Sequence, residues 1–263
     1  MKDNITKVQL AKHLEVLEEK VFRVETHTPQ FKPMLDRLQS WAKKLSSDSK
    51  TLVIERAYLH KANCIFAPFF SHTNLTAIDC IVPTAEKNFG FLSNLSDSPD
   101  LIHWEPDFRC PADALPLESN SIDWLTCPNA VHHIKNQAGM AAEWSRVLKP
   151  GGRAFIFEGL VRELHQVPDD YVRYTPWGFE TLLNDAGLQL ESWEPVSGVF
   201  DVLAYVWQQA LDFFPPEKKK EMSEWFYGGY FQQLQNWNKE YTVNLRQKDK
   251  QFPMGFLYEV VKP

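Results

Sequence analysis

The chain has 263 residues, 44% apolar and 24% charged, with a net charge of -6, enough for one sizeable domain or two small ones. Its acidic balance, with Lys218-Lys219-Lys220 as the only basic run, excludes a nucleic-acid backbone as partner. No apolar run reaches the roughly 20 residues of a membrane span and the charged N-terminus has no signal-peptide core, so a soluble, cytoplasmic protein is expected.

Residues 8–47 are expected to be helical. Leu10, Leu14, Leu17 and Val21 form one stripe at helical spacing, and Met34, Leu35, Leu38, Trp41, Ala42 and Leu45 form a second. Thr28-Pro29 and Lys32-Pro33 mark the break between them. From Lys50 the pattern changes to short apolar runs alternating with amphipathic stretches. Strands are expected at Thr51–Glu55, Leu75–Asp79, Ile122–Thr126, Arg153–Glu158, Leu188–Trp193 and Gly255–Val261. Helices are expected at Gln137–Leu148 and Pro176–Ala186, with a helix-prone segment between Glu55 and Phe70. Val199–Phe214 and Lys218–Tyr241 form a long aromatic helical stretch before the last strand. This alternation implies βαβ units and a mostly parallel, doubly wound α/β sheet, with ligands at the carboxyl ends of its strands. The expected layout is a helical segment over 1–48 and one domain over 49–263, with a helical insertion at about 199–250. Cys64, Cys80, Cys110 and Cys127 stand in no metal-ligand spacing. They read as reduced core thiols, and no metal is expected.

Three segments occur in order: Ala112-Asp113-Ala114-Leu115-Pro116-Leu117 leading into Asn120-Ser121-Ile122-Asp123, then Ala130-Val131-His132-His133-Ile134, then Glu143 to Arg146-Val147-Leu148-Lys149-Pro150-Gly151-Gly152. Together they resemble the class I S-adenosylmethionine-dependent methyltransferases. Asp170-Tyr171-Val172-Arg173-Tyr174-Thr175-Pro176-Trp177-Gly178-Phe179 is similar to a segment frequent in bacterial members that act in polysaccharide and small-molecule biosynthesis. The resemblance implies a Rossmann-like, seven-stranded sheet with an antiparallel last strand. It also implies methyl transfer from S-adenosylmethionine to a small-molecule or glycan-precursor acceptor. By that resemblance Glu55, Ala57, Asp79, Asp113, Ala114 and Asn129 would contact the cofactor. Asp79, ending its strand, would accept hydrogen bonds from the ribose hydroxyls. His132 and His133 would be catalytic, a neutral imidazole taking the acceptor's proton. Tyr171, Arg173 and Tyr174 would form a substrate lip, and Glu158 would face the site or orient Arg173.

One departure is large. The family's glycine-rich loop after the first strand lets the backbone approach the cofactor closely. Here Glu55 is followed by Arg56-Ala57-Tyr58-Leu59-His60-Lys61, and no glycine precedes Gly90. A second reading therefore stays open, in which a methyltransferase-like fold without catalysis binds a partner or ligand. A third keeps the cleft for another nucleotide or a modified cofactor. The aromatic helices of 199–250 read either as a roof over the core or as an interface for self-association or a protein partner.

Overall fold

Leu52, Val53 and Ile54 form an apolar run without alternation, which only a strand covered on both faces can hide; all three are fully buried. In this computed structural model, described over residues 5–25, 27–56, 63–80, 98–241 and 251–263, they lie in the middle of a seven-stranded sheet. The strands are β1 (Lys50–Glu55), β2 (Asn74–Cys80), β3 (Phe108–Cys110), β4 (Ile122–Pro128), β5 (Leu148–Gly159), β6 (Gln189–Val196) and β7 (Gly255–Val261). Their order is β3-β2-β1-β4-β5-β7-β6. The first five pair in parallel, and β7 runs antiparallel between β5 and β6. Strand order reverses between β1 and β4, so the carboxyl ends of these two strands flank the crevice where doubly wound sheets hold ligands.

The helices are α1 (Lys7–Val16), α2 (Phe31–Ala42), α3 (Gln137–Val147), α4 (Pro176–Asp185), α5 (Val199–Ala210), α6 (Pro216–Trp225) and α7 (Phe231–Tyr241). Thr175 caps α4, its hydroxyl accepting from the Gly178 amide at 3.3 Å ahead of Pro176 in the first turn. The Lys149-Pro150-Gly151-Gly152 turn is fixed by its glycines: Gly151 has φ +77°, and a Cβ on Gly152 would lie 2.8 Å from the Lys149 carbonyl oxygen.

The N-terminal helices share the sheet's core. Met34, Leu35 and Leu38 of α2 are fully buried. Trp41 meets Trp124 edge-on at 5.1 Å. Arg37 bridges Glu259 on β7 at 2.9 Å and Glu194 on β6 at 2.6 Å. The helical insertion forms a smaller cluster of its own around Ala204, Phe226 and Leu234.

Two sequence expectations change. The helix-prone segment after β1 holds, among its described residues, only a 3₁₀ turn at Ala67–Phe70, because its amides at 65–67 are drawn to the Glu55 carboxylate. The short strand β3 was not anticipated. A cavity of about 690 Å³, lined by residues including Leu10, Leu14, Ala42 and Phe69, lies beside the start of β2, away from the crevice. No helix among the described residues is long and apolar enough to cross a membrane.

If α2 is integral to the domain, Leu35→Ala should cost about 2–5 kcal/mol through the cavity it leaves. Urea unfolding should show that loss in one cooperative transition. A separate early transition, or a loss well below about 1 kcal/mol, would make residues 1–48 an independent appendage.

Candidate functional site at the carboxyl ends of the strands

Glu55 ends β1 with no exposure to solvent, so its carboxylate must find donors inside the protein. One oxygen accepts from the Ile65 amide at 2.8 Å. The other accepts from Phe66 at 3.0 Å and Ala67 at 2.9 Å. Burial still pushes Glu55 up to about 8, against the pull of those three donors. Ala57, and with it Tyr58, Leu59 and Lys61, lies outside the described residues. Asp79 is the penultimate residue of β2 and pairs in register with Glu55. It is buried, and its Oδ2 accepts from Arg109 Nε at 2.9 Å, while Arg109 is about half exposed (48%).

Asn129 follows β4 in the left-handed region at φ +56°, a conformation asparagine tolerates, and its amide donates to the Phe157 carbonyl at 2.8 Å. Asp113 and Ala114 stand apart in the turn after β3. There Asp113 accepts from Asn136 Nδ2 at 2.7 Å, and the Ala114 amide donates to the Pro111 carbonyl at 3.1 Å. Glu55, Asp79 and Asn129 are thus gathered at the strand ends, whereas Asp113 and Ala114 flank them beside the start of α3.

His132 and His133 sit in a 3₁₀ turn directly after β4, 2% and 3% exposed. His132 Nδ1 bonds the Glu158 carboxylate, which also accepts from the Gly159 amide at 3.0 Å. His133 bonds the Asp169 carbonyl through Nδ1 and the Arg56 guanidinium through Nε2. His165, from the segment after β5, completes the group. Its Nε2 lies 3.3 Å from His132 Nε2. Its Nδ1 lies 3.1 Å from the Glu163 carbonyl and 3.2 Å from Asp170 Oδ2. Ring centroids within the trio are 3.9, 5.1 and 4.9 Å apart. Burial, reinforced by the Arg56 charge, holds His132 and His133 well below the usual imidazole range; burial and Arg162 lower His165. All three rings are therefore neutral at pH 7. Glu158, also buried, is pushed up to about 7.

The lip residues are tied to their own loop. Arg173 grips Asp170 through both carboxylate oxygens, at 2.5 and 2.9 Å, and despite burial this guanidinium holds Asp170 below the ordinary carboxylate range. The Tyr171 hydroxyl donates to Asp169 at 2.8 Å, and Tyr174 packs against Phe179 at 5.4 Å. Glu158 does face the site, but it orients His132, and the carboxylate bound to Arg173 is Asp170. His165 had no signal in its own segment. It could have been found only by noting that residues following the adjacent strands β4 and β5 must meet.

Strand order and site position define a doubly wound α/β protein with its ligand crevice over β1 and β4. Residues 91–156 match the family model described as a methyltransferase domain. The chain thus resembles a methyltransferase domain over about a quarter of its length, 66 of 263 residues. That domain supports methyl transfer as the class of reaction. Comparison with curated proteins gives no match. Among solved structures the chain is similar to a candidate methyltransferase of Bacillus halodurans (20% identity, 87% of this chain and 98% of that one, TM-score 0.47). It is also similar to the [4+2]-cyclase SpnF (18%, 87% and 80%, TM-score 0.49). A third is phosphoethanolamine N-methyltransferase 2 of Haemonchus contortus, bound to phosphomonomethylethanolamine and S-adenosylhomocysteine (15%, 88% and 52%, TM-score 0.48).

The buried groups set a pH dependence. Glu55 and Glu158, at about 8 and about 7 in the fold against an ordinary 4.5, favour the folded state at low pH and lose that contribution as pH rises through those values. His13, fully buried and lowered from 6.5 to about 4, acts oppositely: its contribution is complete above pH 6.5 and is lost on acidification. Between pH 6.5 and 8 the carboxylates dominate, so the melting temperature should fall across that window, and Glu158→Gln should flatten the slope. A melting temperature that holds or rises from pH 6.5 to 8 would contradict this assignment.

Proposed function

We propose that the chain transfers a methyl group from S-adenosylmethionine to a small-molecule or glycan-precursor acceptor at the carboxyl ends of β1, β2 and β4. The observation that carries this reading is the match of residues 91–156 to a methyltransferase domain together with a buried carboxylate, Asp79, near the end of β2. Asp79 fits the ribose end of the donor: the Arg109 guanidinium that bonds it is half exposed and can swing to water while two hydroxyls replace it. Asn129 borders the same crevice, with Asp113 and Ala114 on the adenine side. The methionine end departs from the family. Glu55 is saturated by backbone amides, and the buried guanidinium of Arg56 would instead supply a positive partner for the amino-acid carboxylate.

Once bound, the sulfonium supplies an electrophilic methyl group. The protein's task is to align the acceptor and exclude water. Of the two expected catalytic histidines, His132 is the better base. It is neutral, and its Nδ1 is oriented by Glu158, which supports the imidazolium that forms on proton uptake. His133, held between Arg56 and the Asp169 carbonyl, positions the first. Tyr171, partly exposed, offers the lip's accessible ring, while Arg173 and Tyr174 keep the lip in shape. The helical insertion exposes Leu203, Val206, Phe213, Trp225 and Tyr230, which supports association with a second copy or a protein partner there.

A second reading, a fold that binds a ligand without catalysis, is favoured by the saturation of Glu55. Isothermal titration separates the two. Methyl transfer requires micromolar affinity for S-adenosylmethionine and S-adenosylhomocysteine, and Asp79→Ala should weaken both about 10- to 100-fold, the worth of a charged hydrogen bond. Absence of heat with either compound would overturn the transferase reading.

A further inference from the structure

The three histidines do more than adjoin a crevice. One ring nitrogen from each of His132, His133 and His165 lies within 4.8 Å of the others, and the group is largely buried. Each ring has its Nδ1 against an oxygen acceptor: Glu158 for His132, the Asp169 carbonyl for His133, and the Glu163 carbonyl with Asp170 for His165. Metal-ligating histidines show this arrangement, with one nitrogen donating to a carboxylate or carbonyl so that the other presents its lone pair. Here Nε2 of His132 and His165 face one another at 3.3 Å. When both Nδ1 atoms donate, as in metal-ligating histidines, two lone pairs meet, and a cation between them would relieve that contact. Two ligands each about 2.0–2.1 Å from a tetrahedral zinc ion stand about 3.3–3.4 Å apart, so the observed spacing already matches one edge of such a site.

We propose that His132, His133 and His165 form a three-histidine site for a divalent transition-metal ion of the zinc class, with the fourth coordination position left to water or a ligand group. All-imidazole donors suit zinc, copper and nickel rather than magnesium or calcium, and three protein ligands with one open position is the pattern of reactive rather than purely structural zinc. Arg56 is the built-in competitor. Its guanidinium stands on His133 Nε2, the lone pair the metal needs, so loading moves it aside. The metal would also tie the segment carrying His165 to the end of β4. An occupied site and a proton-accepting His132 exclude one another, since both use Nε2. The site stands whether or not the chain transfers methyl groups.

The test uses the full-length chain without a histidine tag, stripped with a chelator and titrated with zinc against a chromogenic competitor, and separately with cobalt. One equivalent should bind with micromolar or tighter affinity, and cobalt should give the strong visible bands of tetrahedral coordination. His165→Ala should weaken zinc at least tenfold, with the far-ultraviolet circular dichroism of the fold retained. His72→Ala, exposed and outside the cluster, should leave affinity unchanged. Arg56→Met should tighten binding about tenfold, a gain that no loss of folding can mimic. Weak, non-stoichiometric binding that is equal in the parent chain, His165→Ala and Arg56→Met would overturn the site.

Discussion

A carboxylate sealed from water at the end of β1 organises much of what surrounds it. Glu55 recruits three consecutive amides from residues 65–67, and this dictates where the chain returns after leaving the sheet. The Ile65 carbonyl in turn accepts from His13 Nε2 at 2.8 Å, and His13 Nδ1 accepts from the Ile102 amide at 3.1 Å. The Asn63 side chain receives the Trp104 amide at 2.6 Å. One buried carboxyl group thus leads, through paired polar groups, to the docking of α1 and of the segment entering β3. Buried polar networks of this kind specify a unique packing when every member is satisfied, and removing Glu55 would leave three buried amides unpaired at once.

That network also fixes the character of the crevice. A glycine loop would keep the end of β1 open and thin, but here Arg56 follows Glu55 directly and reaches across the strand-order reversal to His133. A guanidinium in low dielectric is tolerated only where acceptors meet it. The neutral imidazole provides one, and the same positive charge helps keep both histidines unprotonated. The ends of β1, β4 and β5 are thereby coupled through Arg56, His133, His132 and Glu158.

The fold is largely legible in the sequence because it rests on periodicity and turn chemistry. The apolar runs of β1, β2, β4 and β5, the cap at Thr175-Pro176 and the Lys149–Gly152 turn each carry a local physical reason, and each is found where that reason places it. β3 is not legible: three residues, two of them exposed, leave no pattern. The segment after β1 misleads because Ile65, Phe66, Phe69 and Phe70 look like a helical face, while the amides that a helix would need are turned toward Glu55. At the site, the strand-end residues Asp79, His132 and His133 can be read from position. The ties that set their chemistry cannot, because Glu158, His165 and Asp170 meet them only through adjacency of strand ends in space.

Loss of the glycine loop and the presence of the histidine cluster are then two aspects of one rearrangement. In a sheet of this order, whatever leaves β1 must face whatever leaves β4, because the two strands are neighbours at the reversal. A backbone of glycines leaves that meeting place to a ligand, whereas a long cationic side chain fills it and must be matched by acceptors from β4. His133 Nε2 supplies such an acceptor, and Glu158 and the Asp169 carbonyl hold the two rings through their Nδ1 atoms. The electron pair of His133 that receives the Arg56 guanidinium is one that a metal ion or a proton would use. Whether another cation can reach His133 Nε2 therefore depends on how readily Arg56 can be displaced.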